Sequence, residues 1–95
     1  MTLTFEWDEA KARKNESKHG ISFVQACHVF SDLGHIDVRY HYRGREERFV
    51  AIGRANGKEL FIVYTLRGHT IRLISARKTN RHESLEYWQR RHLRP

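Results

Sequence analysis

Ninety-five residues with 39% hydrophobic and 12% aromatic side chains are enough for one small domain spanning residues 1–95, and exclude a disordered basic tail. A formal net charge of +7 and a pI near 10.1 imply a partner rich in phosphate, nucleic acid above all. No apolar run approaches the roughly 18 residues of a membrane span. Met1–Glu6 has no charged segment followed by an apolar one, so no membrane is expected and a cytoplasmic location is. The single cysteine, Cys27, cannot form an internal disulfide, and its neighbours Phe23, Val24 and Phe30 make it a small buried hydrophobe.

The charge is unevenly placed. Residues 1–32 hold four Lys+Arg against five Asp+Glu, and residues 33–95 hold fourteen against six. In chain order, a first strand precedes Asp8, which caps a helix over Glu9–His19. Acids sit in its first turn, Lys18 and His19 in its last, and Gly20 provides a left-handed stop. Ser22 and Gln25 have capping-box spacing, and Phe23, Ala26, Cys27 and Phe30 recur at helical intervals, which predicts a second short helix ending near Ser31 or Asp32. Phe5 and Trp7 are expected to anchor the first helix to the core.

From Gly34 the period becomes that of strands. Ile36–Tyr42 is a weak strand, followed by Arg48–Arg54, Glu59–Thr65 and Thr70–Ala76, with Asn56-Gly57 and Arg67-Gly68 as two-residue loops. Period-two alternation then gathers Phe49, Ala51, Leu60, Ile62, Tyr64, Ile71 and Leu73 on a core face. Arg48, Arg54 and Arg72 fall on the other, around Val50, Ile52, Phe61, Val63 and Ile74, whereas a three-residue second loop would move Arg72 to the core face. Arg77 and Lys78 leave the last strand together and extend a basic rim. Asn80 and Glu83 open a final helix with Leu85, Trp88 and His92 on one face, and Trp88 reads as core. The fold class is α+β, with N-terminal helices, an antiparallel meander and a C-terminal helix.

Five ordered segments, Phe5–Lys11 (FEWDEAK), Lys18–Phe23 (KHGISF), Glu46–Arg54 (EERFVAIGR), Tyr64–Gly68 (YTLRG) and Ile71–Lys78 (IRLISARK), together resemble the BrnT family of bacterial toxins. The resemblance implies a RelE-like fold, a ribonuclease activity that halts translation, and a cognate DNA-binding antitoxin, BrnA. Family and edge strand alike allow a homodimer or heterotetramer without selecting one.

Cleaving RNA requires a proton acceptor for the 2′-hydroxyl, cations for the phosphorane and a proton donor for the leaving 5′-oxygen. Arginine's planar fork suits the phosphate. Arg67 and Arg77 with Lys78 are the catalytic cations this pattern suggests, and Arg72, Lys18, Arg48 and Tyr87 the RNA-binding residues. His19 is the first proton-transfer candidate, with Tyr87 and Glu47 behind it. Each has a plainer role as well: a turn arginine is commonly solvated, Arg77 can pair with Glu83, His19 can complement a helix C-terminus, and Glu46 and Glu47 can pair across strands. The seven histidines form no i, i+4 pair, so neither a metal nor another cofactor is expected. The competing function is a non-catalytic nucleic-acid-binding or corepressor module using the same basic sheet.

Overall fold

A computed structural model describes residues 3–40 and 46–92, with the side chains of Arg39, Tyr40 and His92 outside that description. Its elements run β1 (Thr4–Glu6), α1 (Glu9–His19), α2 (Phe23–Cys27), a 3₁₀ turn (His28–Ser31), β2 (Ile36–Tyr40), β3 (Arg48–Ala55), β4 (Lys58–Arg67), β5 (Thr70–Lys78) and α3 (Arg81–His92). The fold is α+β and consistent with the RelE-like expectation. One mixed sheet has the order β1-β5-β4-β3-β2, antiparallel except for β1, which lies parallel to β5. The weak strand ends at Tyr40, and its expected extension through His41 and Tyr42 lies outside the described residues.

The helix signals act as read. The Asp8 carboxylate accepts from the Lys11 N–H at 3.0 Å, and Gly20, at φ 73°, ends α1 by donating to Glu16 O. The Ser22 hydroxyl accepts from the Gln25 N–H at 3.0 Å, and the second helix tightens into its 3₁₀ turn before Asp32. Apart from Ala10 and Ala12, α1 has no apolar residue, so burial of an apolar stripe cannot hold it to the sheet. Asn15 does much of that work. β1 pairs with β5 only from Thr70 to Arg72. Beyond that, the Asn15 side chain donates to Ala76 O at 2.9 Å and to Ile21 O at 3.0 Å, and accepts from Ala76 N at 3.1 Å. The amide thus satisfies the strand edge where a neighbouring strand is missing.

Asn56 and Gly57, at φ 52° and 78°, make the I′-like hairpin that the sequence predicts. The next loop is a correction. Arg67 pairs with Thr70 inside the ladder, so the two loop residues are Gly68 and His69, with positive φ at Gly68 alone, as a II′ turn requires. This moves the register by two residues and therefore preserves the faces. A bulge follows: Val63 pairs with Ser75 but Tyr64 with Leu73. The extra residue makes Ala76, rather than Ser75, the next core residue after Ile71 and Leu73, and Arg77 then lies opposite Phe61 on the other face.

Two cores result. The inner face packs Leu60, Ile62, Tyr64 and Leu73 against Ile21, Phe23, Ala26 and Val29, with Phe5 and Trp7 at the margin as expected. Gly53 lets the 3₁₀ turn approach β3, since a Cβ there would stand 2.9 Å from the Val29 side chain. On the outer face, Tyr87 packs with Ile36, Val50 and Ile52. This corrects the reading of α3: Tyr87 is fully buried, whereas Leu85 is 52% and Trp88 37% exposed. A one-residue step turns a helix by about 100°, and three apolar residues are too few to define its buried side. Among the described residues no helix is long and apolar enough to cross a membrane.

Candidate nucleic-acid interface

The outer face divides by register. α3 follows the last residue of β5 and covers the end near Asn56-Gly57, where the Trp88 indole donates to Glu59 and Arg54 lies over the Trp88 ring. At the opposite end, Tyr40 pairs with Arg48, Thr65 with Arg72, and Arg72 with Glu6. Continuing the β3–β4 register one step past Phe49↔Tyr64 sets Arg48 beside Thr65. A transverse row of Arg48, Thr65, Arg72 and Glu6 therefore crosses four strands on one face. The Thr65 hydroxyl is buried and donates to Glu47 O at 2.7 Å, tying the segment before β3 to the row. Arg72 donates through Nη1 to Glu6, and a guanidinium retains further donors for a second anion. Arg67, one step along β4, lies 3.8 Å from Glu46, with both side chains exposed.

Asp32 locks the covered end. Its carboxylate accepts from Gly34 N at 2.9 Å, Arg54 N at 2.8 Å, the Tyr87 hydroxyl at 2.6 Å and Arg91 at 3.2 Å. Burial opposes the charge, but these donors outweigh it and hold the carboxyl below its ordinary range. The Tyr87 phenol is pushed upward, by burial first and then by Asp32, so it stays a donor. Arg77 fastens the start of the same helix. Both of its terminal nitrogens meet Glu83 at 2.9 Å, and its guanidinium stands 4.0 Å from the Phe61 ring centroid. Burial disfavours the Glu83 anion, but Arg77 and the Asn80 N–H prevail and hold its carboxyl down. Asn80 and Glu83 complete a reciprocal capping box, at 2.8 and 2.9 Å.

A separate groove of about 250 Å³ runs along β5, lined by Lys11, Lys14, Asn15, Lys18 and His19 of α1 and by Ile74 and Ser75 at the bulge. Its four cationic or titratable side chains carry no ion pair among the described residues.

The residues singled out from sequence thus fall into separate places. Arg48, Arg67 and Arg72 share the outer face, while Lys18 and His19 share the groove. Arg77 and Lys78 separate, because consecutive strand residues face opposite ways: Arg77 enters the α3 clamp, and the exposed Lys78 pairs with Leu60 on the other side. Tyr87, expected as an RNA contact, lies in the outer core and has no exposed surface. Glu47 borders the row through its backbone bond to Thr65. Sequence reasoning missed Lys11 and Lys14, whose i, i+3, i+7 spacing with Lys18 marks a shared helix face but not the strand set against it, and it missed Thr65 and Asp32, whose partners are remote in sequence.

A small α+β chain with a cationic sheet face is the class that fold and surface define. Residues 7–83 match the family described as the ribonuclease toxin, BrnT, of a type II toxin-antitoxin system. The chain belongs to that family. No curated protein matches it.

Proposed function

We propose that this chain cleaves RNA on the outer face of its sheet and thereby blocks translation in the cytoplasm until a BrnA-like antitoxin covers the site. The observation that carries this reading is the Arg48–Thr65–Arg72 row, with Arg67 beside it, in a member of a ribonuclease-toxin family. The guanidinium groups hold the scissile phosphate and stabilise charge as the 2′-oxygen attacks phosphorus. Glu47, at the margin of the row, takes the 2′-hydroxyl proton. The P–O5′ bond breaks as the 5′-oxygen is protonated, leaving a 2′,3′-cyclic phosphate and a 5′-hydroxyl. These steps assign no role to a metal. Arg77 and Tyr87 serve this face indirectly by fixing α3. A cognate antitoxin would present carboxylates to Arg67 and Arg72, displacing the long Glu46 contact, and β2, an edge strand, suits strand addition by that partner or a second copy.

Induced expression provides the test. Expression of the parent is expected to arrest growth and be rescued by co-expressed antitoxin, whereas an Arg48→Gln/Arg72→Gln variant accumulates without arrest. Unimpaired growth with abundant folded parent would refute the toxin reading.

A further inference from the structure

The groove between α1 and β5 has a different electrostatic character from the outer face. Arg54, Arg67, Arg72, Arg77, Arg90 and Arg91 each have a carboxylate partner. Lys11, Lys14 and Lys18 carry no ion pair among the described residues, and His19 adds a further nitrogen donor at the end of the same stripe. Among the described residues the groove thus gathers four cationic or titratable side chains without an ion pair, away from the arginine row.

Its construction is specific. β1 stops opposite Arg72, so on that side β5 has no strand neighbour at Ile74 and Ser75, although β4 still flanks it on the other. The bulge opens the strand at that point, and Asn15 pins α1 alongside through Ala76. Lys11, Lys14 and Lys18 recur at helical spacing over about 10 Å of axis, at 1.5 Å per residue. Arg72 and Ile74 lie about 7 Å apart along β5, so the groove begins two residues beyond the row.

We infer that this groove is a second RNA-binding subsite, which grips the phosphate backbone of the strand beyond the scissile phosphate. The inference rests on the RNA-cleavage reading above for its continuity with the row, but its own content is binding. A peptide partner would need an apolar anchor, and Ile74 is the sole large apolar residue lining the groove. Flexible lysines acting as point charges, a hydroxyl at Ser75 and a linear spacing match a polyanion with charges at regular intervals.

The test uses the full-length protein and a fluorescent single-stranded 20-mer fully 2′-O-methylated, which binds but lacks the attacking hydroxyl. Replacing Lys11, Lys14 and Lys18 together by Gln removes three charges while retaining good helix formers. If all three meet phosphates, the log–log salt slope becomes shallower by about 2, and affinity at 0.1 M salt falls by up to about 100-fold. A control carrying Arg13→Gln, Lys58→Gln and Arg81→Gln loses the same net charge elsewhere and is expected to change the slope by less than about 0.5. Equal slopes for parent and groove variant, or equal losses in both variants, would overturn the inference. So would unchanged RNA binding with weakened binding of an acidic antitoxin peptide. Absence of cleavage of unmodified RNA by the parent, with the slope change intact, would overturn the catalytic reading but leave the subsite standing.

Discussion

Replacing Asp32 by Ala is expected to loosen α3 from the sheet and cost about 3–5 kcal/mol. The carboxylate is 10% exposed and accepts from two backbone N–H groups, one phenol and one guanidinium, joining the end of the 3₁₀ turn, β3 and α3. Each bond to a charged acceptor contributes about 1.5–3 kcal/mol, and each donor left dry costs about 1–3 kcal/mol, but the terms are not additive because Arg91 can turn to water and still reach Tyr87. At about 4–8 °C per kcal/mol for a chain of this size, the lower figure is a fall in Tm of about 12–24 °C. Urea denaturation at pH 7, followed by far-UV circular dichroism, measures it. Tyr87→Phe removes one bond while keeping the packed ring and is expected to cost about 1–2 kcal/mol. A double-mutant cycle should then show coupling between the two positions. Because the folded Asp32 carboxyl titrates below its unfolded value of about 3.9, this contribution is present above that pH and disappears as pH falls through the folded value. A loss under 1 kcal/mol for Asp32→Ala, or an unchanged acid transition, would refute the account of α3 docking.

Two further outcomes follow from polar contacts elsewhere. Asn15→Ala leaves Ala76 N–H, Ala76 O and Ile21 O without their side-chain partner and is expected to cost about 3 kcal/mol by thermal denaturation. A change below 1 kcal/mol would show that α1 does not depend on this edge. His35 meets Asp37 Oδ2 at 2.9 Å and Asp32 O at 2.8 Å, and the Asp37 bond outweighs burial to raise its pKa above the ordinary value near 6.5. Its protonated form therefore adds stability that is full below the unfolded value and lost as pH rises through the folded one. The parent is expected to lose more stability than His35→Asn between pH 6 and pH 9, and identical pH slopes would contradict the pairing.

Local signals were the most legible. Asp8, Ser22, Asn80 and Asn56-Gly57 each set a cap or turn through groups within three residues, and the structure places them accordingly. The sheet faces survived a misplaced loop because a register change of two residues returns every side chain to the same side. The bulge was not legible. It arises where β4 and β5 accommodate each other, and it decides that Arg77 joins Phe61 and Glu83 instead of the inner face. Tyr87 was misread for a related reason: its burial is set by Asp32, 55 positions earlier, while the helix's own pattern favoured Trp88. Of the site, the arginine face could be read from alternation, but its division from the α1 groove could not. Where β1 stops is a property of the sheet, and the three lysines look like an ordinary solvated face until β5 is set against them.

Cleavage by the arginine row is open to direct assay with purified protein free of any partner, incubated with 5′-labelled RNA in EDTA. The account predicts cleavage yielding 2′,3′-cyclic phosphate ends, and a rate about 100-fold or more lower for Arg48→Gln/Arg72→Gln that retains the parent's circular dichroism spectrum. Binding of RNA without cleavage by the parent, or undiminished cleavage by the folded double variant, would contradict it.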